Sequence, residues 1–351
     1  MLKQFGGKVT PQEIQAYSRS KHWDGEKFCN LEETTMDIPF KAIPKLLYRQ
    51  LFQRKDRLPA RKIPLVPFNA EEFFAETDAS KCVWYGHSAL LLRINGLTLL
   101  IDPMLGQDAA PIAPFSIKRF NAVSTDLIDV LPEIDILLMS HDHYDHLDLK
   151  SIEKLKPKVK KYAVALGVGR HLKQWGISSE DITEFDWWEN AVFKDLTITF
   201  TPTRHFSGRG IKDRFKGLWG GWVFNNGKEN IWFSGDGGYG KHFTEIGEKL
   251  GPFDFAFMEC GQYNTLWRPI HLFPDESVRA AQDAKAKVLM PVHWGSFNLS
   301  DHDWKKPVEC FVEECAKATI PFQTPQIGEV FFPSKTSEPF PWWEQFLQYP
   351  L

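Results

Sequence analysis

Ser140-His141-Asp142-His143-Tyr144-Asp145-His146-Leu147-Asp148 is the stretch on which the reading of this chain turns. It follows directly on the apolar run Ile134-Asp135-Ile136-Leu137-Leu138-Met139, so ligand-type side chains fill a turn at the end of a buried strand. His141 and His143 are two apart and in extended backbone project the same way. Asp145 and His146 lie past Tyr144, where the chain can turn and offer a second pair. One turn can thus serve two metal ions. A lone histidine is most often a satisfied core or surface residue. Three with an aspartate in His-x-His-x-Asp-His spacing, at a strand end, point to a metal cradle.

Composition sets the surroundings. The 351 residues, 43% of them hydrophobic, suffice for a substantial core in one large domain or two modest ones. A formal charge of -3 makes no global case for a nucleic-acid partner, and none is expected. Cys29, Cys82, Cys260, Cys310 and Cys315 are scattered and form no Cys-x-x-Cys pair. That argues against a disulfide framework or a thiolate zinc site and fits a reducing compartment. Neither an N-terminal apolar leader nor a run of roughly 18 apolar residues occurs. The expectation is a cytoplasmic protein without signal peptide or transmembrane helix, at most peripheral on the inner membrane face.

Outward from the cradle, strands repeatedly end in ligand-type residues. Cys82 to His87 and Ser88 to Ile94 lead to the turn Asn95-Gly96, then to Leu97 to Pro103, which passes through Asp102. Leu196 to Pro202 runs to His205, Asn230 to Gly235 to Asp236, and Lys287 to Val292 to His293, while Phe253 to Glu259 ends at Cys260-Gly261. Leu149 to Lys158, Val168 to Trp175, Phe243 to Leu250 and Pro274 to Lys285 read as helices between them. This alternation predicts a layered α/β domain over 81–335, two sheets inside and helices outside, with the ligands at one edge. Residues 1–80, punctuated by prolines, read as an N-terminal extension packed on it, and 336–351 as a C-terminal tail. Pro44 can open a short helix bearing Ile43, Leu46, Leu47 and Leu51. With Lys41, Lys45, Arg49, Arg54, Lys55, Arg57, Arg61 and Lys62 around it, residues 41–62 are the candidate for peripheral contact with anionic lipid.

The motif His141-Asp142-His143-Tyr144-Asp145-His146 resembles that of the metallo-β-lactamase superfamily, which implies an αββα sandwich with an N-terminal extension. Trp84-Tyr85-Gly86-His87, Asp186 to Asn190, Leu218-Trp219-Gly220, Gly251 to Asp254 and Val292 to Gly295 are similar to the branch of N-acyl-phosphatidylethanolamine-hydrolysing phospholipase D. By that resemblance His141, His143 and His205 hold one ion, Asp145, His146 and His293 the other, and Asp236 bridges. Asp145 and His271 are the catalytic candidates, with His271 matching a histidine that contacts substrate. Two departures, Ile270 before His271 and Phe206 after His205, are expected to line the mouth of the site. Asp102 is read as orienting a ligand imidazole, and Arg209 as a contact for a substrate phosphate through its planar fork.

Imidazole and carboxylate ligation without thiolate suits two Zn2+, with Mn2+ or iron as other occupants. A paired site can activate water and clamp both oxygens of a phosphodiester in displacement. The leading expectation is a binuclear zinc-dependent phosphodiesterase of phospholipase D type, acting through hydroxide on N-acyl-phosphatidylethanolamine-like lipids. The alternative is a lactonase or other carbonyl hydrolase resembling ascorbate-6-phosphate lactonase. A diiron redox enzyme is disfavoured because such relatives carry a glutamate where this chain has His143. A homodimer is compatible with the sequence.

Overall fold

The computed structural model describes residues 3–35, 57–110, 116–210, 212–335 and 340–346, together with Pro44 and Tyr48. Strands β1 (Lys81–Trp84), β2 (Leu90–Ile94), β3 (Leu97–Ile101), β4 (Ile134–Met139), β5 (Val159–Ala165) and β6 (Ile182–Phe185) form one sheet, completed by the distant β13 (Val330–Phe331). Its order is β13-β1-β2-β3-β4-β5-β6. The other sheet runs β12-β11-β10-β9-β8-β7, built from β7 (Asn190–Phe193), β8 (Leu196–Pro202), β9 (Gly220–Asn225), β10 (Asn230–Phe233), β11 (Phe255–Glu259) and β12 (Leu289–Val292). Helices α1 (Pro11–Tyr17), α2 (Ala70–Phe74), α3 (Leu127–Val130), α4 (Leu149–Leu155), α5 (Gly169–Gln174), α6 (His242–Lys249), α7 (Pro274–Asp283) and α8 (Lys306–Ala318) complete the α/β arrangement. The two sheets share one hydrophobic core, in which Phe255 and Phe257 of one meet Phe331 of the other. This is the expected αββα sandwich.

Strand direction gathers the site. The Asn95-Gly96 turn has φ of 50° and 72°, the left-handed pair that a two-residue hairpin demands, and it sets Ile94 opposite Leu97. β2 is antiparallel to both β1 and β3, and β3 is parallel to β4, so β1, β3 and β4 run the same way. In the second sheet β8 and β10 each run antiparallel to β9, while β10, β11 and β12 are mutually parallel. β4 lies between two parallel neighbours and is buried at every position but Asp135, which is why it reads as a nearly continuous apolar run. Its carboxyl end opens into the cradle, the usual place for a ligand crevice.

Both flanking segments pack on the domain where they are described. In the C-terminal one Trp342, Trp343 and Phe346 are buried, and Trp342 stacks on Trp294 with centroids 5.4 Å apart. In residues 3–35 Tyr17 and Phe28 belong to the main core. One expectation changes. Arg57, counted among the lipid-facing cations, is 7% exposed and donates from Nη1 to the Ser300 carbonyl at 2.8 Å, while Arg61 lies over the Phe346 ring. Lys62 is exposed, and Lys41, Lys45, Arg49, Arg54 and Lys55, with Ile43, Leu46, Leu47 and Leu51, lie outside the described residues. Among the described residues no helix is long and apolar enough to cross a membrane, and all five cysteines are free thiols.

Candidate metal centre

The cradle turns immediately after β4. His146 N and Leu147 N both donate to the His143 carbonyl, at 3.1 and 2.8 Å, closing a tight loop that folds Asp145 and His146 back beside His141 and His143. The other side chains arrive from neighbouring strand ends: Asp102 after β3, His205 after β8, Asp236 after β10 and His293 after β12. Asp236 is delivered through Gly235, whose φ of 66° and closeness to the Gly220 carbonyl leave no room for a Cβ. Asp102 and His293 themselves hold left-handed φ values of 41° and 67°. Such backbone persists in non-glycine residues only where the surroundings enforce it, and it concentrates at functional sites.

The side chains converge as two groups joined by one carboxylate. His141 Nε2 and His205 Nε2 approach His143 Nδ1 at 2.9 and 3.2 Å. On the other side Asp145 Oδ2 lies 3.2 Å from His293 Nε2 and 3.6 Å from His146 Nε2. Asp236 Oδ2 stands between, 3.0 Å from His146 Nε2, 3.2 Å from His293 Nε2 and 4.0 Å from His141 Nε2. The residues that the family resemblance would divide between two ions thus lie together, with His87 beside the second set. Asp236 Oδ1 is buried without a hydrogen-bond partner among the described residues. An unpaired carboxylate oxygen in the interior costs several kcal/mol, a cost that a bound cation would offset. The donor set therefore fits a pair of divalent ions with nitrogen and oxygen preference.

Outer hydrogen bonds aim the rings. His146 Nδ1 donates to Asp102 Oδ2 at 2.8 Å, His205 Nδ1 to the Ile270 carbonyl at 2.9 Å, and His293 Nδ1 faces Glu259 Oε1 at 3.3 Å. His141 Nδ1 meets the Ser140 hydroxyl, which itself bonds to Asp102. With the far nitrogen carrying the proton, the near one presents its lone pair to the centre. Burial, helped by the neighbouring imidazoles, pushes His141 and His205 well below the ordinary histidine range. Burial likewise brings His143 down to about 4, although Asp145 and Asp142 pull the other way. At His146 and His293 burial also opposes charge, but Asp236 leads the carboxylates that outweigh it, raising His293 to about 10. The carboxylates thus favour positive charge at this point.

His271 sits beside this set, its ring 5.0 Å from that of His205 and 5.3 Å from that of His293, with Nδ1 bonded to Glu259 Oε1. Phe206 packs its ring 4.3 Å from His143. Ile270 is buried, and what it offers the site is its carbonyl rather than a side chain at the mouth. Arg209 requires a correction too. It is 3% exposed, and its guanidinium donates to the Asp142, Leu147 and Gln4 carbonyls at 2.7 to 2.9 Å while lying 4.0 Å over the Tyr144 ring. Its fork braces the cradle from outside instead of facing a substrate phosphate.

Two residues at the centre, both within strands read from the sequence, carry no site role in that reading. His87, fully buried with a φ of 54°, approaches Asp145 Oδ2 through Nε2 at 2.9 Å and lies 4.1 Å from the His293 ring. Glu259 is buried and binds His271 and His293 through Oε1, while Oε2 accepts from Gly237 N at 2.9 Å. Both stand at the ends of strands that run toward the site, the same signal that marks Asp236 and His293.

Residues 98–294 match the family model described as a beta-lactamase superfamily domain. An uncharacterized protein of Mycobacterium tuberculosis is 36% identical over 338 residues, 94% of this chain and 89% of that one. N-acyl-phosphatidylethanolamine-hydrolyzing phospholipase D 1 of Caenorhabditis elegans is 33% identical over 255 residues, 69% of this chain and 71% of that one. Among solved structures, an isothiocyanate hydrolase from Delia radicum gut bacteria superimposes with a TM-score of 0.57 at 21% identity, over 72% of this chain and 98% of that one, a likeness of fold alone.

Proposed function

From a chain that belongs to the metallo-β-lactamase superfamily and is a metal-dependent hydrolase, we propose the finer reading of a binuclear phosphodiesterase of phospholipase D type. Its substrate class is N-acyl-phosphatidylethanolamine-like lipid. The observation that carries it is the placement of Asp236, with one oxygen between His141, His146 and His293 and the other buried without a partner. His141, His143 and His205 would hold one ion and Asp145, His146 and His293 the other, zinc suiting the donors best. Bound there, such a pair supplies Lewis acidity and a water activated near neutral pH.

The chain's own residues do the rest. Asp102, Ser140, Glu259 and the Ile270 carbonyl fix the outward nitrogens, so that the inward ones need not reorganise during turnover. Glu259 fixes His271 through Nδ1 and leaves Nε2 to hold or donate a proton at the leaving oxygen. Phe206 gives the entrance an apolar wall beside His143, suited to a lipid substrate. The test is to assay the purified, metal-loaded protein against phosphodiesters and lactones in parallel. Release of phosphatidic acid from N-acyl-phosphatidylethanolamine is expected. Turnover of lactones alone would overturn the phosphodiesterase reading and leave a carbonyl hydrolase.

A further inference from the structure

We propose that Asn30, contributed by the N-terminal segment, is a positioning residue of the metal centre that acts through His205. The inference rests on the reading of His205 as a metal ligand. His205 lies on the loop between β8 and β9, where no strand among the described residues pairs with its backbone. Asn30 takes that part. Its Nδ2 donates to the His205 carbonyl at 2.8 Å and its Oδ1 accepts from His205 N at 3.0 Å, so one amide side chain pairs both main-chain groups as a neighbouring strand would. Trp219 Nε1 donates to the same Oδ1 at 3.2 Å and to the Thr203 carbonyl at 3.1 Å, tying the clamp to both ends of the loop.

The segment carrying Asn30 is itself held. Phe28 is buried, donates from its backbone N to the Phe215 carbonyl at 2.9 Å, and packs against Tyr17 and Trp23. On the other side of Asn30, Arg204 reaches out to Thr34 Oγ1 and the Glu33 carbonyl, and Glu32 accepts from Lys241 N. The neighbour that precedes His205 is therefore tied to the same segment as His205 itself. Inside the site the ring has one outer bond among the described residues, Nδ1 to the Ile270 carbonyl. With that bond at one end and Asn30 at the other, His205 Nε2 is held 3.2 Å from His143 Nδ1. Coordination tolerates displacements of only about 0.5 Å, which gives a backbone clamp on the ligand direct leverage over the ion. Asn30 lies outside residues 98–294, so part of the centre is built by sequence that the family model does not span.

The test uses the full chain as Asn30→Ala and Asn30→Asp, loaded with zinc and titrated with a chelator. Cobalt(II) absorption serves as a second readout of the ligand field. Expected for wild type are two ions released near one chelator concentration. In Asn30→Ala one ion should leave at chelator concentrations about 10–100-fold lower, the usual cost of losing an outer contact, while the other is unmoved and the metal-free thermal midpoint is retained. Asn30→Asp keeps the acceptor for His205 N and should fall between. Unchanged release of both ions in Asn30→Ala overturns the clamp alone. Loss of both together with a lowered midpoint also overturns it, making Asn30 an ordinary structural residue. A wild type that takes up no divalent ion overturns the proposed function itself and the clamp with it.

Discussion

At the scale of single residues the centre separates groups that would hold metal from groups that would act on substrate. His143→Ala and Asp236→Ala each open the ligand set, so both variants should lose turnover and bound metal together. An Asp236→Ala protein that keeps two ions and near-normal turnover would remove the bridging assignment. His271→Ala should instead keep its metal and lose on the order of 10²-fold in rate, a usual cost for a positioned proton donor. Glu259→Gln should lose rate as well, because an amide that keeps its oxygen toward His271 turns its NH2 against the Gly237 N–H. Parallel loss of metal in His271→Ala would make it a ligand or a structural group. The seven proposed ligands are legible in the sequence because each stands at a strand end or in one dense turn. His87 and Glu259 are less so, since each is a lone polar residue beside tryptophan, cysteine or glycine with nothing nearby in sequence to mark a cluster. Asn30 carries no local signal at all: its meaning comes from a contact 175 positions away.

At the scale of elements, β4 is the support on which the cradle rests. Leu138 is fully buried between β3 and β5. Leu138→Ala should cost about 2–5 kcal/mol of unfolding free energy through lost contact and the cavity left behind, while the folded fraction still binds metal. A denaturant midpoint equal to wild type would show that β4 is not held as described. Long apolar strands such as β4 and β8 announce themselves, and so do helices α6 and α7, with boundaries shifted by one or two residues. β7 is a short edge strand with two exposed positions, β9 begins with Gly220-Gly221, and β13 has two residues. Such strands form because a neighbour supplies their hydrogen bonds, and no periodicity of their own shows it. Helix α8 differs, for Val308, Phe311 and Cys315 fall on one face at helical spacing, a signal diluted by the charged residues between them.

For the whole molecule, burial of neutral histidines outside the proposed ligand set contributes an acid limit on stability. Burial lowers His171 and His242 to about 3 and His302 to about 4, against 6.5 for a free imidazole. The unfolded chain therefore binds more protons at these three sites between pH 6.5 and these values, so the stability they contribute is full above about 6.5 and falls as the pH drops through this window. Each group contributes a slope of at most about 1.4 kcal/mol per pH unit. Urea unfolding at pH 7 and pH 5 should show the loss, and His242→Phe should lessen it; equal midpoints at both pH values would contradict these burials. The layered α/β order and the cradle follow from local pattern and the two proposed ion groups from family resemblance, whereas the packing of residues 3–35 and 340–346 against the core follows only from folding. Trp342 against Trp294 and Asn30 against His205 are contacts that no window of sequence contains. The central claim is that two divalent ions in this centre carry hydrolysis of a lipid phosphodiester. Its most direct test is to strip the protein of metal, add zinc in steps, and follow phosphatidic acid released from N-acyl-phosphatidylethanolamine. Turnover absent without metal and rising to a plateau at two equivalents per chain is the predicted result; full turnover in the stripped protein, or a plateau at one equivalent, would contradict it.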